Sequence, residues 1–494
     1  PYSIVMSVEK EQSAHQTLQL RGFFRKFRNG KAPEEYYQYL RDPDECPKDE
    51  LFRLHPEEAQ ESIRETLTRP RALGSEDDSV IFRELSALKQ SRKGLWVVIG
   101  GPPCQAYSLV GRSRNLGIKK YRAEKDNRHF LYKEYLKVLD RVRPEVFVME
   151  NVKGILSSSV QGQKVFPQLL RDLRNPVKAI SKKPFPGYHI YSLVSDPDDF
   201  DPKCGPLYKS GSEFVIRCEN FGIPQMRHRV ILIGVRSDIG KVPGILKPAP
   251  EIVSIDKIIE SMPELRSGLS REPDGSREWH AAMRTISTDL SKRLTNSGNI
   301  ELANLIRKSA SESRIIPSRG GRFVRSSKSG FTRWYRGPLK DWIRDPRLRG
   351  FVNHESRGHI RADLMRYLWC SAFTQMTHRD KHPSPKASEF PDFLAPHHKN
   401  WISGHFADRF RVQAKSRPAT TITSHISKDG HYFIHYDPLQ CRSLTVREAA
   451  RIQTFPDNYF FEGNRTQQFV QVGNAVPPYL ARLIAEVVYS VLVN

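Results

Sequence analysis

Three short stretches carry residue types that could act on a heteroaromatic ring. The first is Gly100-Gly101-Pro102-Pro103-Cys104-Gln105. It follows the apolar run Leu95-Trp96-Val97-Val98-Ile99, which reads as a buried strand stopped by two glycines and two prolines. A cysteine in a stiff turn beyond the carboxyl end of a strand is well placed to react, because open α/β sheets bind ligands there. Its thiol needs help to ionise at neutral pH, since an ordinary cysteine has a pKa of roughly 8.5. A bare loop cysteine is more often a small apolar filler, but these six residues after a strand are far more specific. The second stretch is Val148-Met149-Glu150-Asn151-Val152. An acid at a strand end often caps a helix or faces water. Beside Cys104 on a neighbouring strand, Glu150 would pair a thiolate with a protonatable carboxyl, the set needed for addition across a pyrimidine ring. The third is Gln225-Met226-Arg227-His228-Arg229, entering an apolar strand over 230–235. Strand alternation puts Arg227 and Arg229 on one face, where they can hold a base oxygen and nearby phosphates. Alone, that spacing is a weak signal.

The elements that must position these residues alternate between strand and helix. Ser3 to Val8 reads as a short strand ending at Glu9, followed by a helix to about Phe27. Residues 29–75 are polar and give no clear element. Helical spacing returns over 79–90 and 129–142, and buried strands are expected at 146–149, 188–194 and 230–235. Continuous apolar strands between helices predict an α/β sheet covered on both faces. Over 237–410 the alternation fades. Between Arg307 and Arg349 stand thirteen Lys or Arg against three Asp or Glu, interleaved with Phe323, Phe331, Trp334, Tyr335 and Trp342. That mixture suits a nucleic-acid-facing module better than an ordinary solvated surface. Within it, 318–321 and 326–330 read as loops. Asn353 to Arg357 and His359 are candidate DNA contacts, set against the usual fate of such clusters as solvated loops. Order returns from Arg417, with a helix over 445–453 capped by Thr445, a turn at Gly473 and a helix over 478–492.

Composition narrows the class. The chain has 494 residues and a formal charge of +24, which attracts polyanions, chiefly nucleic acid. No run approaches the ~20 apolar residues of a membrane helix, and the first residues lack the pattern of a secretory signal. The six cysteines form no C-x-x-C pair, against a zinc or thioredoxin-type site, and suggest free thiols in a reducing compartment.

Taken together, GGPPCQ, Glu150-Asn151-Val152, Gln225 to Arg229, Arg417-Pro418-Ala419-Thr420-Thr421 and Gln471-Val472-Gly473-Asn474-Ala475-Val476-Pro477 closely resemble, in order, the motifs of bacterial-type DNA cytosine-5 methyltransferases. Thr445 to Pro456 resembles the segment before the family's last motif. The likeness covers nearly the whole chain except the variable basic region. It implies a Rossmann-like S-adenosylmethionine-dependent sheet with a smaller target-recognition domain: 1–236 catalytic, 237–412 recognition, 413–494 a return to the catalytic domain.

By resemblance, Cys104 attacks ring carbon 6, Glu150 serves ring nitrogen 3, Arg229 binds the base carbonyl and Arg227 supports the site or a phosphate. Gln105, Ser108, Gly111, Arg112 and Arg114 belong to a loop that closes on DNA. Glu9, Pro102, Asn474 and Val476 correspond to residues binding S-adenosylmethionine, with Asp77 or Asp78 near its adenine; no metal is implied. The family also opens with a strand and a Gly-rich F-x-G-x-G loop, whereas this chain contains no G-x-G. That segment is expected to lie outside the numbering, and without it cofactor binding should be poor. Double-stranded DNA is the expected partner, alongside a paired restriction endonuclease, for a monomer in the bacterial cytoplasm. The tRNA-modifying relatives offer an alternative substrate, and a silent DNA-binding protein a third reading; the size of the basic insert favours DNA.

Overall fold

A computed structural model describes residues 2–27, 30–102, 131–160, 162–181, 183–311, 316–377, 384–396, 401 and 409–493. Four helices open the chain: α1 Gln12–Lys26, α2 Glu34–Arg41, α3 Lys48–Leu54 and α4 Pro56–Glu65. The polar stretch that gave no signal thus holds three short helices. Acids start them and arginines end them, matching the helix dipole, and Pro56 opens α4. Helix α5, Asp78–Ser91, leads to strand β1, Val97–Gly100. Next come α6 Leu131–Val142, β2 Val146–Val152, α7 Val165–Arg174, β3 Tyr188–Tyr191, β4 Val215–Arg217 and β5 His228–Arg236.

The central sheet runs β1-β2-β5-β3, with β4 also paired to β5. β1 and β2 are parallel, while β5 is antiparallel to β2, β3 and β4. One face packs Met149, Phe147 and Leu232 against α6 and α7. The other packs Val148, Ile231 and Ile233 against the last helix. Both faces are therefore covered, as the continuous apolar runs predicted.

The expected strand over 3–8 does not form. Its residues are extended, but among the described residues its only backbone bond is from the Ser7 N–H to the Glu65 carbonyl. A short apolar run does not make a strand without a ladder partner. Glu9 consequently precedes α1 instead of ending a strand. β1 likewise has no described partner on its outer edge, where Ile99 is 77% exposed.

Beyond the sheet come α8 Ser276–Asn296, α9 Ile300–Ser311, β6 Gly320–Arg325, β7 Gly350–Glu355 and α10 Arg361–Thr377. The region where alternation seemed to fade is thus rich in long helices. Trp279, Ile286, Leu290 and Leu294 recur at helical spacing and are buried, but abundant Ser, Thr and Arg mask them in the mean composition. Gly320 and Gly321, read as loop, stand in β6, paired with Glu355 and His354; 326–330 is loop as expected.

The chain closes with α11 Val446–Ile452, α12 Arg465–Asn474 and α13 Pro478–Val493. Thr445 caps α11 as expected: its side chain accepts the Glu448 N–H while Glu448 accepts the Thr445 N–H. Gly473 lies inside α12, not at a turn. Residues 465–493 would suit a membrane span by length and composition, yet Leu480, Ile484, Val488 and Val491 pack on the sheet. One apolar core joins Ile255, Ile286 and Trp369 to Val412, Ile422, Ala450 and Val472, so the basic insert and the closing helices share their packing.

Candidate active site

Topology brings two distant stretches to one point. β5 runs antiparallel to β2, so its first residues lie beside the carboxyl end of β2, with Ile231 opposite Glu150 and Arg229 opposite Val152. Ile231, Arg229 and Glu150 share a sheet face. There the Arg229 Nε stands 2.9 Å from the Glu150 carboxylate, both largely buried. The Arg229 guanidinium also donates to the His228 carbonyl at 2.8 Å. On the other side of β2, β1 delivers Gly101 to the same carboxylate. A Cβ on Gly101 would stand 3.0 Å from the Glu150 Oε2, so glycine is what lets the turn approach so closely. Gly101, beside Glu150, is followed by Pro102, the last described residue before Cys104. Cys104 itself, with Gln105, Ser108, Gly111, Arg112 and Arg114, lies outside the described residues.

Arg227 does different work. It is fully buried and donates to the Ile422 carbonyl at 2.7 Å and the Gly473 carbonyl at 3.2 Å. It holds the site together and is not offered to a ligand. Two residues that the sequence reading passed over do the same. The Gln225 amide donates to the Gln453 side chain at 2.7 Å and accepts the Ile422 N–H at 2.7 Å. Gln453 in turn donates to the Val472 and Ala475 carbonyls. Gln225 and Met226 pair in parallel with Ala419 and Thr420. Four of the motifs thus converge on one polar knot, whose signal in the sequence was only the two glutamines inside motif segments.

The remaining thiols are unsuited to attack. Burial pushes the Cys218 thiol up to about 12, although Arg227 and Arg229 oppose the shift. Burial also drives the Cys370 and Cys441 thiols up. A protonated thiol is a poor nucleophile. Cys204 sits in an exposed turn between two short strands.

Comparison with known proteins bears on what this pairing serves. The family model for C-5 cytosine-specific DNA methylase matches residues 83–179 and 207–490. The chain belongs to that family. Type II methyltransferase M.Bpa9945I of Bacillus paralicheniformis is 32% identical to the methylase across 99% of this chain and 94% of its own length. Type II methyltransferase M.AgeI of Thalassovita gelatinovora is 28% identical, over 79% of this chain and 82% of its own. DNA (cytosine-5-)-methyltransferase M.ApeKI of Aeropyrum pernix is 23% identical, over 80% and 81%. The methylase is accordingly a DNA cytosine-5 methyltransferase with the α/β fold of that family, which uses S-adenosylmethionine.

The residues assigned to that cofactor fit it in kind. The Glu9 Oε1 accepts the Lys10 and Glu11 N–H groups at 2.8 Å each, which fixes the carboxylate at the start of α1 and leaves its second oxygen for hydroxyls. Pro102 is half-buried just after β1, and Val476 is half-buried against the apolar core beneath one face of the sheet. Asn474 ends α12 exposed, with no side-chain hydrogen bond among the described residues. Asp77 is engaged elsewhere, accepting from Arg71 and the Ala72 N–H, and Asp78 accepts the Gly74 N–H. Among the described residues no cluster of three His, Cys, Asp or Glu could hold a metal ion.

The candidate DNA contacts at 353–359 are corrected by burial. Asn353, His354, Ser356 and His359 are all interior. Asn353 bonds the Phe461 backbone, and the His354 ring meets the Thr445 hydroxyl at 2.9 Å. Burial pushes the His354 pKa down to about 4, so it stays neutral and structural.

Gly473 is the tightest point of this scaffold. A Cβ there would clash with the Ser424 nitrogen and the Thr423 carbonyl carbon, which are backbone atoms that cannot rotate away. Gly473→Ala should cost about 1–3 kcal/mol by overpacking. Because the Gly473 carbonyl also holds Arg227, methyl transfer should fall more than folding does. Thermal unfolding beside initial rates checks this; unchanged rates would mean the knot does not shape the site.

Proposed function

We propose that the methylase transfers a methyl group from S-adenosylmethionine to carbon 5 of one cytosine within a specific duplex DNA sequence, through a covalent adduct with Cys104. The observation that supports this most is the ion pair of Glu150 with Arg229 at 2.9 Å, with Gly101 close beside the same carboxylate. Gly101 lies three residues before Cys104 in the sequence.

In this reading the target cytosine leaves the stack, since its carbon 6 cannot be reached within a duplex. The loop bearing Gln105, Ser108, Arg112 and Arg114 closes over it and excludes water. The Cys104 thiolate adds to carbon 6. Glu150 holds a proton at ring nitrogen 3, and Arg229 bonds the carbonyl oxygen, so the ring accepts the electron pair at carbon 5. Glu9, Pro102, Asn474 and Val476 would hold S-adenosylmethionine, whose sulfonium methyl would pass to carbon 5 with the thioether as leaving group. Loss of the carbon-5 proton then returns electrons to the ring and expels the Cys104 thiolate.

Residues 237–412 serve as the target-recognition region, with their basic and aromatic content on the duplex. The type II designation of the relatives supports a paired restriction endonuclease and an enzyme working on DNA in the bacterial cytoplasm; the methylase is proposed to act as a monomer. Labelled methyl transfer to duplex DNA and to tRNA, in parallel, tests the substrate. Label in duplex alone is expected, and bisulfite sequencing of that DNA gives the site. Label in tRNA alone would overturn the reading.

A further inference from the structure

The turn Phe331 to Arg336 displays Trp334, which is 73% exposed and the most exposed large apolar side chain described in the basic insert. Exposing an indole forgoes its burial, so what holds it outward matters. Phe331 and Tyr335 on either side are buried and stacked, 5.5 Å apart and 7° from parallel. The Arg451 guanidinium lies 4.8 Å from the Phe331 ring and donates to the Ser329 carbonyl at 2.7 Å. The Ser261 hydroxyl donates to the Phe331 carbonyl at 2.6 Å, and the Thr332 N–H to the Lys257 carbonyl at 3.1 Å. The turn is bolted to the core while its indole stands in solvent. Arg333 covers one face of that indole, 4.1 Å from the ring centroid.

The chain on either side of the turn is cationic. Arg325, Lys328, Arg333, Arg336 and Arg344 are exposed, and none makes an ion pair with a described acid. Asp341 is the single acid between Arg325 and Arg344. A rigid aromatic backed by arginine among unpaired cations is the combination that stacks on a base while holding the flanking phosphates. We propose that Trp334 stacks on a nucleobase of the target DNA, with Arg325, Lys328 and Arg336 on the adjoining phosphates. This rests on the reading of 237–412 as the recognition region and names the residue that grips a base there.

The test uses the full chain and a fluorescein-labelled duplex carrying the site found by bisulfite sequencing. Trp334→Ala should weaken binding about tenfold, within the range for one stacked base, with the salt dependence unchanged. Trp334→Phe should restore most of the affinity, which a merely damaged fold would not allow. Arg325→Ala with Arg336→Ala should instead flatten the salt dependence by about two phosphate contacts. Wild-type affinity in Trp334→Ala, or an equal loss in Trp334→Phe, would overturn the proposal. If the wild-type chain methylates tRNA and not the duplex, it is the recognition reading that fails. If it methylates the duplex and Trp334→Ala binds as well, only the stacking role fails.

Discussion

Cys104→Ser is expected to abolish methyl transfer to duplex DNA while leaving duplex affinity intact. A serine hydroxyl is far less nucleophilic at neutral pH than a thiolate. Cys218, the described thiol whose ionisation responds to Glu150, Arg227 and Arg229, is buried and held protonated. Glu150→Gln should slow the reaction by about 10²–10⁴-fold, the usual worth of a positioned proton donor. The amide keeps the shape beside Gly101 but cannot give a proton to the ring or neutralise Arg229. A duplex with 5-fluorocytosine at the target traps the adduct, because the carbon-5 proton is then missing. Wild-type protein should form the adduct, Glu150→Gln should form it slowly, and Cys104→Ser should form none. Adduct formation by Cys104→Ser would mean that another group attacks the ring, and an unchanged rate in Glu150→Gln would remove Glu150 as the acid.

The second large effect is on folding. Glu448→Ala should destabilise the protein by about 3–5 kcal/mol, the cost of stranding a buried charge. Both oxygens of Glu448 accept from the Arg442 guanidinium at 2.7 Å, and one also accepts the Thr445 N–H at 2.8 Å. Both side chains are about 1% exposed. Removing the carboxylate leaves Arg442 charged in the interior. Glu448→Leu with Arg442→Met, which removes both charges, should cost less than Glu448→Ala alone. Urea midpoints decide the order, and equal losses would show that the pair is not coupled. Burial opposes ionisation of Glu448, but Arg442, donating to both its oxygens, outweighs it and holds the carboxyl far below the usual range. The folded-state value is depressed, so this stabilisation is complete above the ordinary glutamate value of 4.5 and is lost as pH falls below it.

The sequence revealed some of this and concealed the rest for physical reasons. Strands β1, β2 and β5 were legible because strands buried on both faces are continuous apolar runs. Glu150 and Arg229 were legible as the ends of those runs. Helices α2 to α4 were not, because each is short and α2 buries tyrosines, whose phenols make the stretch look polar. Tyr37 and Tyr39 satisfy their hydroxyls on Asp345 and Glu462, partners hundreds of residues away. Gly473 read as a turn because a helical glycine usually costs stability, and only the backbone pressed against it explains its presence. The alternation argument set Arg227 equal to Arg229. Pairing of Gln225 and Met226 with Ala419 and Thr420 instead directs Arg227 into the interior.

The opening helices have a consequence for engineering hybrids. Phe23, Tyr36 and Leu40 pack in one cluster with Leu348, Val352 and Phe460, and Arg322 stacks between Tyr39 and Phe460. Residues 12–65 therefore form part of the bed on which the β6–β7 hairpin rests. Grafting residues 237–412 from a relative would leave those aromatics facing a foreign surface. On the reading of 237–412 as the recognition region, a transplantable specificity cassette is discontinuous, and a chimera is expected to need the four opening helices along with the insert.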